Sequence, residues 1–335
     1  MLKKLIIIIV IIAAGSFLYW RNLNSPVDMN GKEQIFIVNK GEAIKQVAKN
    51  LRINNLIRSE FYFKYAIGSD NNIKAGEYLI SPKFNTGEII KILTVGEALS
   101  QEKSIRIIEG WSNKDIGAYF EKNSIISAKD FMALANAPLG QWKFSFAKPD
   151  FLNDAPKKVG LEGYLFPDTY RIFNDTTGEG VISKMLDNFG KKLTPATREE
   201  IKRQTKTIYE IITMASVIEK EVRSTDDMKI VSGIFWNRIK NGQALQSCAT
   251  LAYVLGVNKP QYSVEDTKVD SLYNTYKYRG LPPGPIANPG LNAINAAVYP
   301  ETTSYNYFLS DPATGQTIFS KTLDEHNANK YKYLK

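Results

Sequence analysis

Apolar and polar positions divide this chain into three regimes. The first is an apolar run from Leu5 to Leu18, preceded by Lys3 and Lys4 and closed by Tyr19, Trp20 and Arg21. It is slightly shorter than the roughly 20 residues that span a bilayer. Flanking lysines snorkel, however, and a Tyr-Trp pair suits the far interface. The run predicts a retained anchor over residues 1–22, with Met1 in the cytoplasm because positive charge precedes it. A cleaved signal peptide competes, since Ala13-Ala14-Gly15 resembles a cleavage site, although Phe17-Leu18-Tyr19-Trp20 stays apolar where such a peptide turns polar.

After a polar linker over residues 23–31, the second regime (32–99) alternates short periods. Glu33 to Val38 and Gly76 to Ile80 read as strands. Ile44, Val47, Ala48 and Leu51 share one helix face, a second helix is expected from Ser59 to Ile67, and a third begins with Thr86 as its cap. Strand, two helices and strand make a small α+β module. The third regime, residues 100–335, opens with a strand from Ser104 to Gly110 and a helix capped by Asn113. After an aromatic-rich irregular stretch (137–158), it turns mostly helical. Helices are predicted over 181–193, 195–204, 207–222, 225–241 and 250–255, with a terminal hairpin around Tyr305 to Ser320. The segment Gly280 to Gly290 holds four prolines and cannot be helical, so it predicts a rigid loop suited to the wall of a groove. The fold class is therefore α+β, with an N-terminal transmembrane helix, a small α+β module and a larger, mostly helical α+β domain carrying a Pro-rich loop.

One acid breaks the pattern. At roughly 100° per residue, Ile208, Ile211, Ile212, Ala215, Ile218 and Val222 gather on one face, and Glu219 lies within about 50° of its middle. Glu210 and Glu221 point away, and Lys220 with Glu221 reads as a solvated face. A buried carboxyl costs several kcal/mol unless it is paired or keeps its proton. Keeping the proton is what a general acid requires. A buried arginine or backbone donors would satisfy Glu219 equally well without any catalysis.

Composition narrows the chemistry. The 335 residues carry a net charge of +9, dispersed over the chain, which favours an anionic polymer or lipid surface. No pattern of nucleic-acid recognition is present. One cysteine, Cys248, and one histidine, His326, make a zinc site, a Ser-His-Asp triad or a Cys-His pair improbable, so no metal or cofactor is expected. His326 reads as a packing residue of the tail. The run Leu161 to Ile172 sets aromatic residues beside Glu162 and Asp168 between Gly163 and Pro167. It suits a sugar-binding cleft or a packed turn, with Asp168 and Arg171 a possible ion pair. Arg238 is either a neighbour of Glu219 or a surface residue.

Taken in order, these segments resemble the endolytic murein transglycosylase, or YceG-like, family. The resemblance rests on Lys74-Ala75-Gly76-Glu77-Tyr78, Ile107-Ile108-Glu109-Gly110, Leu161 to Tyr170, Ala215-Ser216-Val217-Ile218-Glu219-Lys220-Glu221 and Phe235-Trp236-Asn237-Arg238. It continues through Leu245-Gln246-Ser247, Tyr273-Asn274-Thr275-Tyr276, the Gly280 to Gly290 loop, Phe319-Ser320 and Glu325-His326-Asn327. It implies a single-pass enzyme of the inner membrane, with a LysM-like module and a catalytic domain facing the peptidoglycan. It also implies contact with cell-wall synthesis proteins and places the catalytic glutamate at Glu219. Glu162, Gln246, Asn274 and Tyr276 are the candidates for gripping glycan. The expected reaction cleaves between N-acetylmuramic acid and N-acetylglucosamine and closes a 1,6-anhydro ring. The alternatives are a hydrolase, with Glu162 or Asp168 as second acid, and a non-catalytic wall-binding scaffold. One departure stands out: where the family usually has Asp-Pro before the threonine, this chain has Cys248-Ala249-Thr250.

Overall fold

The computed structural model describes residues 2–68, 72–95, 102–173, 176–259 and 262–334, with side chains from residue 12 onward except at 13 and 102. The chain is mixed α+β and divides into two compact units, Met1–Lys103 with Phe173–Asp175, and Ser104–Ile172 with Thr176–Lys335. The expected boundary at 99–100 lies outside the described residues.

In the first unit, helix α1 (Leu2–Asn24) precedes β1 (Gln34–Val38), α2 (Ile44–Ile53), α3 (Glu60–Ile67), β2 (Gly76–Ile80) and α4 (Thr86–Val95). Most side chains of the apolar run fall outside the described set. Among the described residues, no helix is long and apolar enough to cross a membrane. The strands pair antiparallel, from Gln34 opposite Ile80 to Val38 opposite Gly76. Alternation turns Phe36, Val38, Tyr78 and Ile80 onto a core with Val47, Leu51, Phe63, Ile89 and Leu93.

The segment after α1 is tied down. Arg58 Nη2 donates to the Pro26 carbonyl at 2.7 Å, and the Val27 and Asp28 N–H groups bond the Pro82 carbonyl at 3.1 and 3.2 Å. Trp20 packs against Tyr62 and Tyr65, with ring centroids 5.3 and 4.9 Å away. Thr86 is not the cap of α4, because its hydroxyl donates to the Leu23 carbonyl. Asn85 caps instead, accepting the Glu88 N–H while Glu88 accepts the Asn85 N–H, a reciprocal box.

The second unit contains β3 (Glu102–Arg106), α5 (Asn113–Lys122), α6 (Ala128–Ala135), β4 (Thr169–Phe173), α7 (Gly178–Lys192), α8 (Pro195–Arg203) and α9 (Ile208–Glu221). Then follow α10 (Thr225–Lys240), α11 (Cys248–Leu255), α12 (Leu291–Val298), β5 (Tyr307–Ser310), β6 (Thr317–Ser320) and α13 (Leu323–Tyr333). Strand β3 pairs with β4, and β5 and β6 form the expected antiparallel hairpin. Ser112, not Asn113, caps α5, through a reciprocal box with Asp115. Helix α9 starts the same way, with Thr207 and Glu210, and packs against α12, α10, α11 and α8. Every residue from Ile211 to Ile218 is buried, so α9 is the axis of the core rather than a helix with one wet side. Its polar residues tolerate burial because Thr213 and Ser216 donate to the carbonyls of Tyr209 and Thr213.

The aromatic residues of the Leu161 to Ile172 run belong to this core. Tyr164 packs among Phe151 and Phe189, and Tyr170 donates its hydroxyl to the Phe166 carbonyl at 2.5 Å. They pack a turn and offer no sugar platform. Asp168 faces Asn188 and Lys192, not Arg171.

Candidate active site

Glu219 occupies the last turn of α9 and is half-buried. Its Oε2 accepts the backbone N–H of Gly290 at 2.9 Å, and Gly290 is the N-cap of α12. Among the described residues, no hydrogen bond reaches Oε1. The carboxyl is hemmed in where two glycines supply room. A side chain at Gly110 would meet Glu219 Cγ at 3.4 Å and Lys220 Cδ at 3.3 Å, while one at Gly290 would run into the carboxylate of Glu109. Burial pushes the Glu219 carboxyl up to about 7; the Gly290 N–H opposes this, the Glu109 charge adds to it, and Lys220 opposes it weakly. At neutral pH the group is therefore poised between acid and base.

The Pro-rich loop holds this arrangement from the α12 side. Tyr209 donates its hydroxyl to the Pro283 carbonyl at 2.6 Å. The Ile286 N–H bonds Ser216 Oγ at 3.0 Å, and the Gly290 N–H completes the series at Glu219. Three side chains along α9 thus strap the loop in parallel with the helix. From Gly284 to Gly290 the loop is buried, so it is an internal brace, and Ile286 lines a cleft.

Asn288 is the junction of the brace and is wholly buried. Its Oδ1 accepts the Leu165 N–H at 2.9 Å. Its Nδ2 donates to the Trp111 carbonyl at 3.0 Å and to Asn113 Oδ1 at 3.2 Å, and approaches Glu162 Oε1 at 3.4 Å. Its backbone carbonyl accepts the Gly110 N–H at 2.9 Å. One residue therefore ties the Glu109–Gly110 turn, the start of α5 and the turn after Glu162 to the loop that contacts Glu219.

A cleft of about 650 Å³ opens beside this junction, lined in part by Gly110, Glu162, Lys220, Glu221, Cys248 and Tyr253. Glu162 accepts the Asn113 N–H through both oxygens, at 2.9 and 3.2 Å. Burial raises it to about 8, against the pull of that N–H, with Asp115 adding to the rise. Burial thus favours the neutral form of Glu162 at the cleft wall.

Glu221 corrects the sequence reading. Its carboxylate does not lie on a solvated face; it accepts the hydroxyl of Ser247 and the Ala249 N–H, the latter at 3.2 Å, at the start of α11. Burial raises its pKa, which those bonds and Arg238 oppose. The departure at Cys248-Ala249 therefore has a local consequence: a proline at position 249 carries no N–H, and alanine supplies Glu221 with one.

The other sequence candidates sit apart from Glu219. Asn274 is buried, its Nδ2 spent on the carbonyls of Thr267 and Val269 and its Oδ1 on the Tyr276 N–H. Gln246 and Tyr276 line a second cleft, of about 580 Å³. Arg238 is neither a surface residue nor a partner of Glu219: it is buried and donates to the carbonyls of Leu245 and Asn306 at 2.5 and 2.6 Å. His326 stacks on Tyr307 at 5.2 Å, and burial lowers it to about 4. Glu109, Asn288 and Gly290 are the site residues that sequence reasoning passed over. They stood inside quoted motifs, but nothing local marked them. Among the described residues, no group of three or more His, Cys, Asp or Glu side chains is placed to hold a metal ion.

Comparison with known proteins identifies the family. A sequence model of the YceG-like family matches residues 36–332. The endolytic murein transglycosylase of Bacillus subtilis (strain 168) is 35% identical over 335 residues, covering 97% of this chain and 91% of the relative. That of Streptococcus pneumoniae (strain D39) is 29% identical over 356 residues, covering 98% of this chain, which spans 64% of the relative's length. A crystal structure of a putative YceG-like protein from Listeria monocytogenes superposes with a TM-score of 0.60 at 32% identity, covering 90% of this chain and 100% of that one.

Proposed function

The chain belongs to the YceG-like family, and from that premise we propose that it is a peptidoglycan lytic transglycosylase that cuts within glycan strands. The observation that carries the reading is Glu219, a half-buried carboxyl raised to about 7 with one oxygen bonded to Gly290 and the other without a hydrogen bond among the described residues. Protonated Glu219 donates to the oxygen between N-acetylmuramic acid and N-acetylglucosamine as the bond breaks. The substrate's own acetamido group stabilises the oxocarbenium-like centre, one of the exceptions to two-carboxylate hydrolysis. Glu219, now a base, takes the proton of the muramic acid C6 hydroxyl, which attacks C1 and closes the 1,6-anhydro ring. One carboxyl serves twice, so its two states must be close in energy, and a value about 7 provides this. Glu162, on the cleft wall, contributes a contact to the sugar. Digestion of purified sacculi by the full chain in detergent is expected to yield 1,6-anhydro ends by mass analysis; reducing ends in their place would establish hydrolysis.

Residues 1–22 act as a single-pass anchor of the cytoplasmic membrane, with the N-terminus inside and residues 23–335 on the far side. The apolar run with lysines before it and Tyr19-Trp20 after it supports this. The chain is expected to stay in the pellet when membranes are washed with alkaline carbonate, and its release into the wash would refute the anchor. Residues 32–99 serve as a LysM-like module and residues 100–335 as the catalytic domain. An enzyme so placed meets strands as synthesis proteins extend them, and ends their growth.

A further inference from the structure

We propose that the second cleft of the larger unit is a docking site for the acidic peptide stem of the glycan strand, an inference that rests on the transglycosylase reading above. The two clefts share a thin wall. Cys248, which lines the Glu162 cleft, places Sγ 3.2 Å from the hydroxyl of Tyr276, which lines the second. A strand seated in the first cleft therefore has the second one as its neighbour.

The lining of the second cleft differs in kind. Asn241, Gln243, Gln246 and Asn306 bring side-chain amides, Arg238, Lys277 and Arg279 bring positive charge, and none of the lining residues is an acid. Arg238 is committed to backbone carbonyls, and Lys277 is paired with Asp270 at 2.8 Å. Arg279 is exposed and makes no hydrogen bond or ion pair among the described residues. Gln246 is exposed on a backbone with φ of +52°, a left-handed conformation that a glutamine adopts at a cost. That backbone is pinned by the Gln246 N–H to the Thr275 carbonyl and by the Ser247 N–H to Thr275 Oγ1, at 3.0 and 3.1 Å.

Side-chain amides match the N–H and C=O groups of a peptide, and a free guanidinium matches a carboxylate in a two-pronged way. An uncharged polysaccharide has no use for that guanidinium. A short acidic peptide uses both, and in peptidoglycan it hangs from the muramic acid whose own C6 hydroxyl attacks C1 with Glu219 as the base.

The test measures initial rates of anhydro-end formation by the full chain in detergent, on strands that carry stems and on strands stripped of them by an amidase. The wild-type chain is expected to favour stem-bearing strands about tenfold in kcat/KM. Arg279→Ala is expected to bring that ratio toward one by raising KM on stem-bearing strands, with Arg279→Lys intermediate. A wild-type ratio near one, or an equal loss on both substrates in Arg279→Ala, overturns the stem site while leaving the enzyme reading intact. Failure of the wild-type chain to form anhydro ends on either substrate overturns that reading and this proposal with it.

Discussion

Replacing Glu219 by glutamine is expected to abolish anhydro-end formation, lowering turnover on the order of 10³-fold, while the fold survives and becomes more stable in alkaline solution. The amide keeps an acceptor for the Gly290 N–H but has no proton to give or reclaim. Stability changes in the opposite sense because the acid is strained by its burial. With the folded value raised from 4.5 to about 7, the native state holds a proton that the unfolded chain has already released between those pH values. Stability therefore falls as pH rises through that window and stays low above it, by up to about 3 kcal/mol for this half-buried group. Urea unfolding at pH 8 is expected to show Glu219→Gln above wild type, with the difference gone by pH 4. Activity is expected to fall above about pH 7, as the acid form is lost. Unchanged glycan processing in the variant would leave the chain a wall-binding scaffold.

Asn288→Ala is the costliest substitution expected outside the reacting group. It leaves the Leu165 N–H without its acceptor at a buried position and strips donors from the Trp111 carbonyl and Asn113. One unsatisfied buried group costs about 1–3 kcal/mol, and several share this junction, so about 3 kcal/mol is expected by urea unfolding. Activity should fall by tenfold or more even where the variant is fully folded, because Glu162 and the start of α5 are positioned through the same side chain. Asn288→Asp keeps the acceptor but puts a carboxyl beside Glu162 and is expected to be no better. Wild-type stability and rate in Asn288→Ala would remove the junction from the account.

How much of this was legible in the sequence depends on distance along the chain. The strands and helices of the first unit and helices α7 to α10 declared themselves through period and caps, and Glu219 through its place in an apolar stripe. Helix α12 stayed hidden because its eight residues, Leu291 to Val298, follow the Pro-rich loop directly and are mostly small. Helix α6 lay between stronger signals, and α13 is almost wholly polar. Glu221 was misread because helix geometry fixes only where a side chain leaves its own helix. The partners that turn its carboxylate inward, Ser247 and Ala249, lie 26 and 28 residues away. Asn274 and Asn288 look alike as loop asparagines. Only the fold shows that the first staples a turn through Thr267 and Val269 while the second joins four segments around Glu219. Catalytic candidates can be read from an unfavourable local placement, whereas residues that position them take their meaning from contacts across more than a hundred residues.

The fastening of α1 to the first unit carries a mechanical consequence. Arg58 grips the carbonyl of Pro26, Gly87 bonds Asn24, and the Trp20 ring wedges between two tyrosines, so the segment that leaves the helix has little freedom to swivel. Within the first unit, the leading helix and the α+β module after it behave as a rod with a fixed head rather than as a weight on a string. Whatever tilts the rod must tilt the head by the same angle.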